Sequence, residues 1–314
     1  MRRFWMSSLI LAITAACGPS ALEDEARSAL PTQDQVALQA PGGAPGTSSA
    51  AVTVGDHSDY YQLTWDMSSA VNGGVGATLL LLQAVVAQHA TSCTATSCTW
   101  GPGSTALDPN TYELVVTKQA TTPVSYQYVL SAEPKSNPGA GFFSLISGTA
   151  TPSGTVDHGS GTFTIDFDSA QKLDNPGQTV GQLTATYDNT GPLSVQVTFL
   201  GMADTQTPSQ LDNANYAYAD DSSGGGDLQV AFENTTTSAT TTLHSRWESD
   251  GSGRGDASYS SPTYSATASE CWSTSFEVTF FESSDPSNPV FGPNSGQESA
   301  CDWQGAVPCT LQAP

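Results

Sequence analysis

From Tyr61 onward the chain alternates apolar and polar side chains with a period of two, and residues able to reverse the backbone close most of the runs. The clearest run sets Phe163, Ile165 and Phe167 on one side and Thr162, Thr164, Asp166 and Asp168 on the other. That spacing suits a pleated strand with one face buried and one wet, and does not suit a helix. The same pattern predicts strands through Tyr61-Leu63-Trp65, Tyr112-Leu114-Val116, Val124-Tyr126-Tyr128-Leu130 and Leu183-Ala185-Tyr187. It recurs in Leu193-Val195-Val197-Phe199, Leu228-Val230-Phe232, Leu243 with Trp247, and Phe276-Val278-Phe280.

Between the runs stand Asp174-Asn175-Pro176-Gly177, Asp188-Asn189-Thr190-Gly191-Pro192, Gly224-Gly225-Gly226-Asp227 and Asp250-Gly251-Ser252-Gly253. Such sequences supply a preset or positive φ where a chain doubles back. Short links favour consecutive hairpins, so the expected fold is all-β: an antiparallel meander of roughly nine to eleven strands. A sheet that wide should curl into a barrel-like or sandwich form. Residues 77–90 (ATLLLLQAVVAQHA) break the pattern, being free of Gly and Pro and rich in Leu and Ala, and predict one helix buried against the sheet.

The N-terminus carries a different signal. Arg2 and Arg3 precede an apolar run from Phe4 to Ile13, about ten residues against the roughly 20 needed to span a bilayer, so a cleaved export signal is expected over residues 1–16. Ala15 and Ala16 before Cys17 resemble the bacterial lipobox, with Thr14 where leucine is usual. The resemblance implies acylation of Cys17, and Gly18 in the following position implies the outer membrane. The expected localisation is therefore the cell envelope, lipid-anchored on the periplasmic side or the cell surface. Residues 17–50, rich in Pro, Gly, Ala and Ser, read as a disordered tether of about 30 Å, and residues 51–314 as one β-rich domain.

Lys and Arg total 8 against 30 Asp and Glu, for a formal charge of −22 that becomes −24 once Arg2 and Arg3 are removed. Such a chain repels nucleic acid and anionic headgroups, so its membrane partnership is expected to run through the N-terminal lipid. Only 12% of residues are charged, which suits an exported β-protein better than a cytoplasmic enzyme at about 25%.

With Cys17 acylated, five cysteines remain for an oxidising compartment. Cys93 and Cys98 flank a small loop, and Cys271 and Cys301 would tie the last strand to the C-terminal segment. Cys309 is then odd, and a rival scheme joins Cys301 to Cys309. The histidines His57, His89, His158 and His244 have no zinc-ligand spacing with these cysteines.

No Gly-x-Ser-x-Gly elbow, His-Glu-x-x-His helix, P-loop or dinucleotide fingerprint occurs. Asp220, Asp221 and Asp227, and likewise Asp250 and Asp256, flank glycine-rich turns that could take calcium, but hairpin turns need no metal and none is expected. Arg254-Gly255-Asp256 is read as a chance tripeptide. Arg246-Trp247, the Asp250–Asp256 stretch, Glu270-Cys271-Trp272 with Phe276, and Ser299-Ala300-Cys301 together resemble uncharacterised lipoproteins of myxobacterial type. That family implies no activity. The expectation is an exported, membrane-anchored, non-enzymatic structural or recognition protein without a cofactor. A carrier of lipid or another hydrophobic ligand in a half-open barrel is the alternative, with Tyr126, Tyr128, Phe163, Phe167, Phe199 and Phe232 lining or filling it. A secreted hydrolase with spatially assembled carboxylates comes third.

Overall fold

A computed structural model describes residues 21–42, 53–206, 210–221, 223–288 and 292–314. Cys17, the signal segment 1–16 and part of the tether lie outside the described residues.

Two helices precede the sheet: α1 (Ala21–Ala29) and α2 (Asp59–Val86). Strands β1 (Ser92–Cys93), β2 (Ser97–Gly103), β3 (Asn110–Thr121), β4 (Val124–Pro134), β5 (Phe143–Ser153) and β6 (Thr155–Asp166) lead to the single turn of α3 (Phe167–Ala170). Then come β7 (Thr179–Asp188), β8 (Ser194–Asp204), β9 (Asp212–Asp220), β10 (Gly226–Asn234) and β11 (Ala239–Trp247). The sheet ends with β12 (Gly253–Ser260), β13 (Ser265–Trp272), β14 (Val278–Ser283) and β15 (Ser295–Gly296).

All fifteen strands pair antiparallel with their sequence neighbours in one sheet that does not close into a barrel. The mainly-β meander expected from alternation is therefore present, with more strands than the runs revealed. Flat, fifteen strands at about 4.8 Å would be roughly 70 Å wide, so a shared core requires the sheet to curl. The core is shared: one cluster joins Ala26 and Leu30, Leu79 and Leu82 of α2, and strand residues from Cys98 to Trp272.

Three expectations need correction. Tyr61, Leu63 and Trp65 belong to α2, which runs 28 residues and starts at the cap Ser58, whose hydroxyl accepts from the Tyr61 amide at 2.9 Å. The helix expected over residues 77–90 is thus only its C-terminal part, and it ends at Val86. Third, the described part of the tether is no tether: Ala26, Leu30, Val36 and Leu38 are buried, so residues 21–42 belong to the folded unit.

These corrections share a cause. Asn72 in the middle of α2 accepts from the Leu38 amide at 2.7 Å and donates to the Leu38 carbonyl at 2.8 Å, acting as a strand-like partner for the passing N-terminal segment. Gly76 lies where a Cβ would stand 2.9 Å from the Gln33 side chain, so glycine permits the close approach. Gly73 and Gly74 have open space at the Cβ position, and a Cβ at Gly76 would have to displace the end of the exposed Gln33 side chain.

Candidate functional site

Two polar regions and one recess hold the chemistry of the described residues. The first region lies where α2 meets β12 and β13. Glu270 is fully buried, and its Oε1 accepts from the Ser58 hydroxyl and from the Tyr60 amide at 3.1 Å, at the amino end of α2. Its other oxygen, Oε2, has no partner. Burial pushes the carboxyl up to about 7, although the Ser58 and Tyr60 bonds oppose the shift. Asp59 beside it is also raised by burial. Tyr60 lies over Gly255, where a Cβ would be 2.7 Å from the ring, so the carboxylate is sealed beneath packed side chains.

The second region is on the opposite face of the same strands. In register, Arg246 pairs with Arg254 and Arg254 with Cys271, which puts these side chains on the face away from Ser245, Gly255 and Glu270. Asp256 joins them, accepting from Arg254 Nε at 2.9 Å, Arg246 Nη2 at 3.1 Å and Ser269 Oγ at 2.7 Å. The C-terminal segment covers this cluster as a strap. Arg254 Nη1 donates to Glu298 at 2.8 Å and to the Trp303 carbonyl at 3.1 Å, while the Val307 amide donates to Asp256 at 3.0 Å. Arg246 lies 5.0 Å from the Trp303 ring centroid, a cation–π contact. Further along, Thr310 is held by Gln229, and the Gln312 carbonyl by Asn215 at 2.7 Å.

The disulfides follow the first pairing scheme: Cys93 to Cys98 at 2.05 Å and Cys271 to Cys301 at 2.11 Å, with Cys309 free. The second bond fastens the start of the strap to β13. Arg254-Gly255-Asp256 lies inside β12, and Arg254 is only 1% exposed, so the tripeptide is a structural element and not a presented loop. The aspartates considered for calcium serve other ends. Asp221 accepts from the Ser223 and Gly225 amides, Asp250 from the Ser252 amide, and Asp227 is 2.9 Å from His244 Nε2. Among the described residues no group of three His, Cys, Asp or Glu side chains is placed to hold a metal ion.

The recess, of about 570 Å³, lies between the last turns of α2 and the β2–β3 connection. Trp100 and Tyr112 come from the strands, and Leu81, Val85, Gln88 and His89 from the helix end. Trp100 is buried, with its indole N–H donating to the Gln88 carbonyl at 3.1 Å, which ties helix to sheet. On the open side, Asp108 accepts from the Thr105 amide at 2.8 Å, and Lys135 donates to the Thr105 and Asp108 carbonyls at 2.7 and 2.6 Å. The Thr105 bonds hold the Asp108 carboxyl below its usual range. This recess joins distant segments, and neither Trp100 nor Asp108 had a sequence signal.

Of the aromatic positions proposed to line a barrel, Tyr126, Tyr128 and Phe163 are buried in the core, Phe199 packs against it, and Phe167 begins α3. Tyr128 lies over Gly148 and Tyr187 over Gly161, rings occupying the space above strand glycines. No protein-family model matches the chain, and no curated protein or solved structure is significantly similar to it.

Proposed function

We propose that this is an exported lipoprotein, anchored through Cys17, that acts by recognition and not by catalysis, with the recess beside Trp100 as its binding feature. The carrying observation is how its buried ionisable groups are used. Glu270, Arg254 and Asp256 all lie within the packed layers that join α2, the sheet and the C-terminal strap. Asp108 is the carboxylate at the recess, and glycosidic hydrolysis of the usual kind needs a pair about 5 to 10 Å apart. The recess volume falls within the roughly 300 to 1,000 Å³ of small-molecule sites.

The carrier reading is carried by the apolar contribution of Leu81, Val85 and Trp100 to the recess. It places a hydrophobic ligand there, because Tyr128 and Phe163 occupy the space between sheet and helices. Native mass spectrometry and solvent extraction of the purified mature protein test both readings. Recognition without carriage predicts an acylated N-terminus, no co-purified free lipid and no uptake of a fluorescent fatty acid. Reproducible fatty-acid uptake that is lost in Trp100→Ala would replace the first reading with the second.

A further inference from the structure

We infer that the recess end of the molecule is a membrane-seating surface, with Leu80, Leu81 and Leu107 resting at the headgroup boundary of the bilayer that holds the N-terminal lipid. The inference rests on the reading of Cys17 as acylated.

Covalent reach limits how far the anchor can lie from the folded protein. Glu23 lies six residues after Cys17, no more than about 22 Å of fully extended chain. Glu23 is fixed to the corner beside the recess: its Oε1 accepts from the Ala90 amide at 3.1 Å and from Arg27 at 2.8 Å, and stands 3.3 Å from His89. Arg27 in turn donates to the Gln88 carbonyl at 3.1 Å. Since Gln88 and His89 line the recess, the anchor delivers this end of the protein to the bilayer.

That end also presents large apolar side chains. Leu107 is 95% exposed, on the loop that Lys135 pins by its carbonyls, so it is held out and not folded back. Leu80 is 60% exposed and Leu81 37% exposed. They stand one turn before Ala84 and Val85, which line the recess, so all four belong to one stripe of α2. Large apolar side chains gathered around a polar-rimmed recess mark a contact surface better than scattered ones do.

Charge favours a bilayer over a second copy, because two chains of this acidity repel each other. Six cations follow Cys17, and two of them stand at this end, Arg27 on Glu23 and Lys135 on the Thr105–Asp108 loop, while Lys118 pairs with Glu25 toward the other end of β3. Arg246 and Arg254 are held under the strap. The recess end therefore holds two of the few cations of a strongly acidic chain, which lessens its repulsion of anionic headgroups. Exposed apolar side chains flanked by cations seat at the headgroup boundary, as interfacial segments do.

The test uses the full lipidated protein in a Cys309→Ser background, carrying either Leu107→Cys or Thr190→Cys labelled with an environment-sensitive fluorophore. Thr190 is exposed in the β7–β8 turn, at the opposite end of the strands from Tyr112. The protein is reconstituted into phosphatidylethanolamine–phosphatidylglycerol vesicles containing a headgroup-proximal spin-labelled lipid. The expected result is strong quenching and a blue shift at position 107, with little of either at 190. Equal weak quenching at both positions in protein that floats with the vesicles would overturn the seating while leaving the anchor intact. A blue shift at 107 that rises with protein concentration and is indifferent to the quencher would overturn it in favour of self-association. Protein that fails to float and has an unmodified Cys17 by mass would remove the anchor and the seating together.

Discussion

The carboxylate of Glu270 on β13 accepts from the backbone amide of Tyr60 in the first turn of α2, a bond between residues 210 apart that joins the helix to the far part of the sheet. Because burial raises this carboxyl to about 7 from 4.5, the folded protein holds a proton that the unfolded chain has lost across that interval. Its contribution to stability is complete below pH 4.5, declines as pH rises through 7, and is then spent. The shift corresponds to roughly 3 kcal/mol. Glu270→Gln should abolish that component, so the wild type should lose stability relative to the variant between pH 5 and 8. Urea titrations at the two pH values check this, and a wild type that gains on the variant would contradict it.

Arg254 is buried between Asp256 and the strap. Arg254→Ala strands a buried carboxylate, a change that typically costs 3 to 5 kcal/mol. It should also free the strap, seen as faster proteolysis after residue 301. Glu298→Gln alters the 44%-exposed partner of the same arginine and should cost less than about 1 kcal/mol. Similar losses in both variants would show that the strap bond, and not the buried pair, dominates.

Cys271–Cys301 closes a loop with a sequence separation of 30, worth roughly 3 to 4 kcal/mol by the chain-entropy estimate. Replacing both residues by serine should lower stability by that order. The free Cys309 is half-buried, and burial raises its thiol. Thiol titration of the acylated protein should therefore give one group per chain in denaturant and much slower reaction when folded. Two groups in denaturant would mean that Cys17 is unmodified.

Gly226 lies opposite Trp247, and Gly253 opposite Trp272, each ring covering the glycine of its cross-strand pair. Alanine at either position drives a methyl group into an indole. Each substitution should cost on the order of 1 to 3 kcal/mol in thermal or chemical denaturation. Gly191→Ala, with open space at its Cβ, serves as the control and should change little.

Leu30 separates a tether from a folded N-terminal segment. It is buried against the core, so Leu30→Ala should cost about 2 to 5 kcal/mol, whereas in a tether the change would be silent.

The legible strands were those whose inward residues are large and whose outward residues are polar. β3, β4, β6, β7, β8, β10, β11 and β14 all carry residues from such runs. β9, β12 and β13 were hidden because their buried positions include the small residues Ala214, Gly253, Gly255, Ala266 and Ala268, with rings over Gly253 and Gly255. β12 and β13 are further disguised by burial on both faces, which replaces alternation with a continuous buried stretch from Gly253 to Asp256. The pairing of Cys271 with Cys301 was one of two that spacing allowed, and the recess was not readable at all, since Trp100, Gln88 and Asp108 converge only when α2 docks on β2.

By itself the sequence determined the antiparallel meander, the positions of several of its turns and the Cys93–Cys98 loop, while the choice of Cys271 over Cys309 as the partner of Cys301 came from the fold. The first three depend on local chemistry: side-chain alternation, positive-φ residues, and cysteines separated by a short loop. Tertiary structure alone decided that Tyr61, Leu63 and Trp65 are helical, that residues 21–42 fold into the core, and that the C-terminal segment straps the back of the sheet. Tyr61-Leu63-Trp65 spans only five residues, too short a run for alternation to outweigh the burial that the helix gains, and β-propensity is weak beside burial. The Ser58 cap, the Asn72 bonds to Leu38 and the Glu270 bond to Tyr60 reward the helix, and every one of those partners except the cap comes from a distant part of the chain.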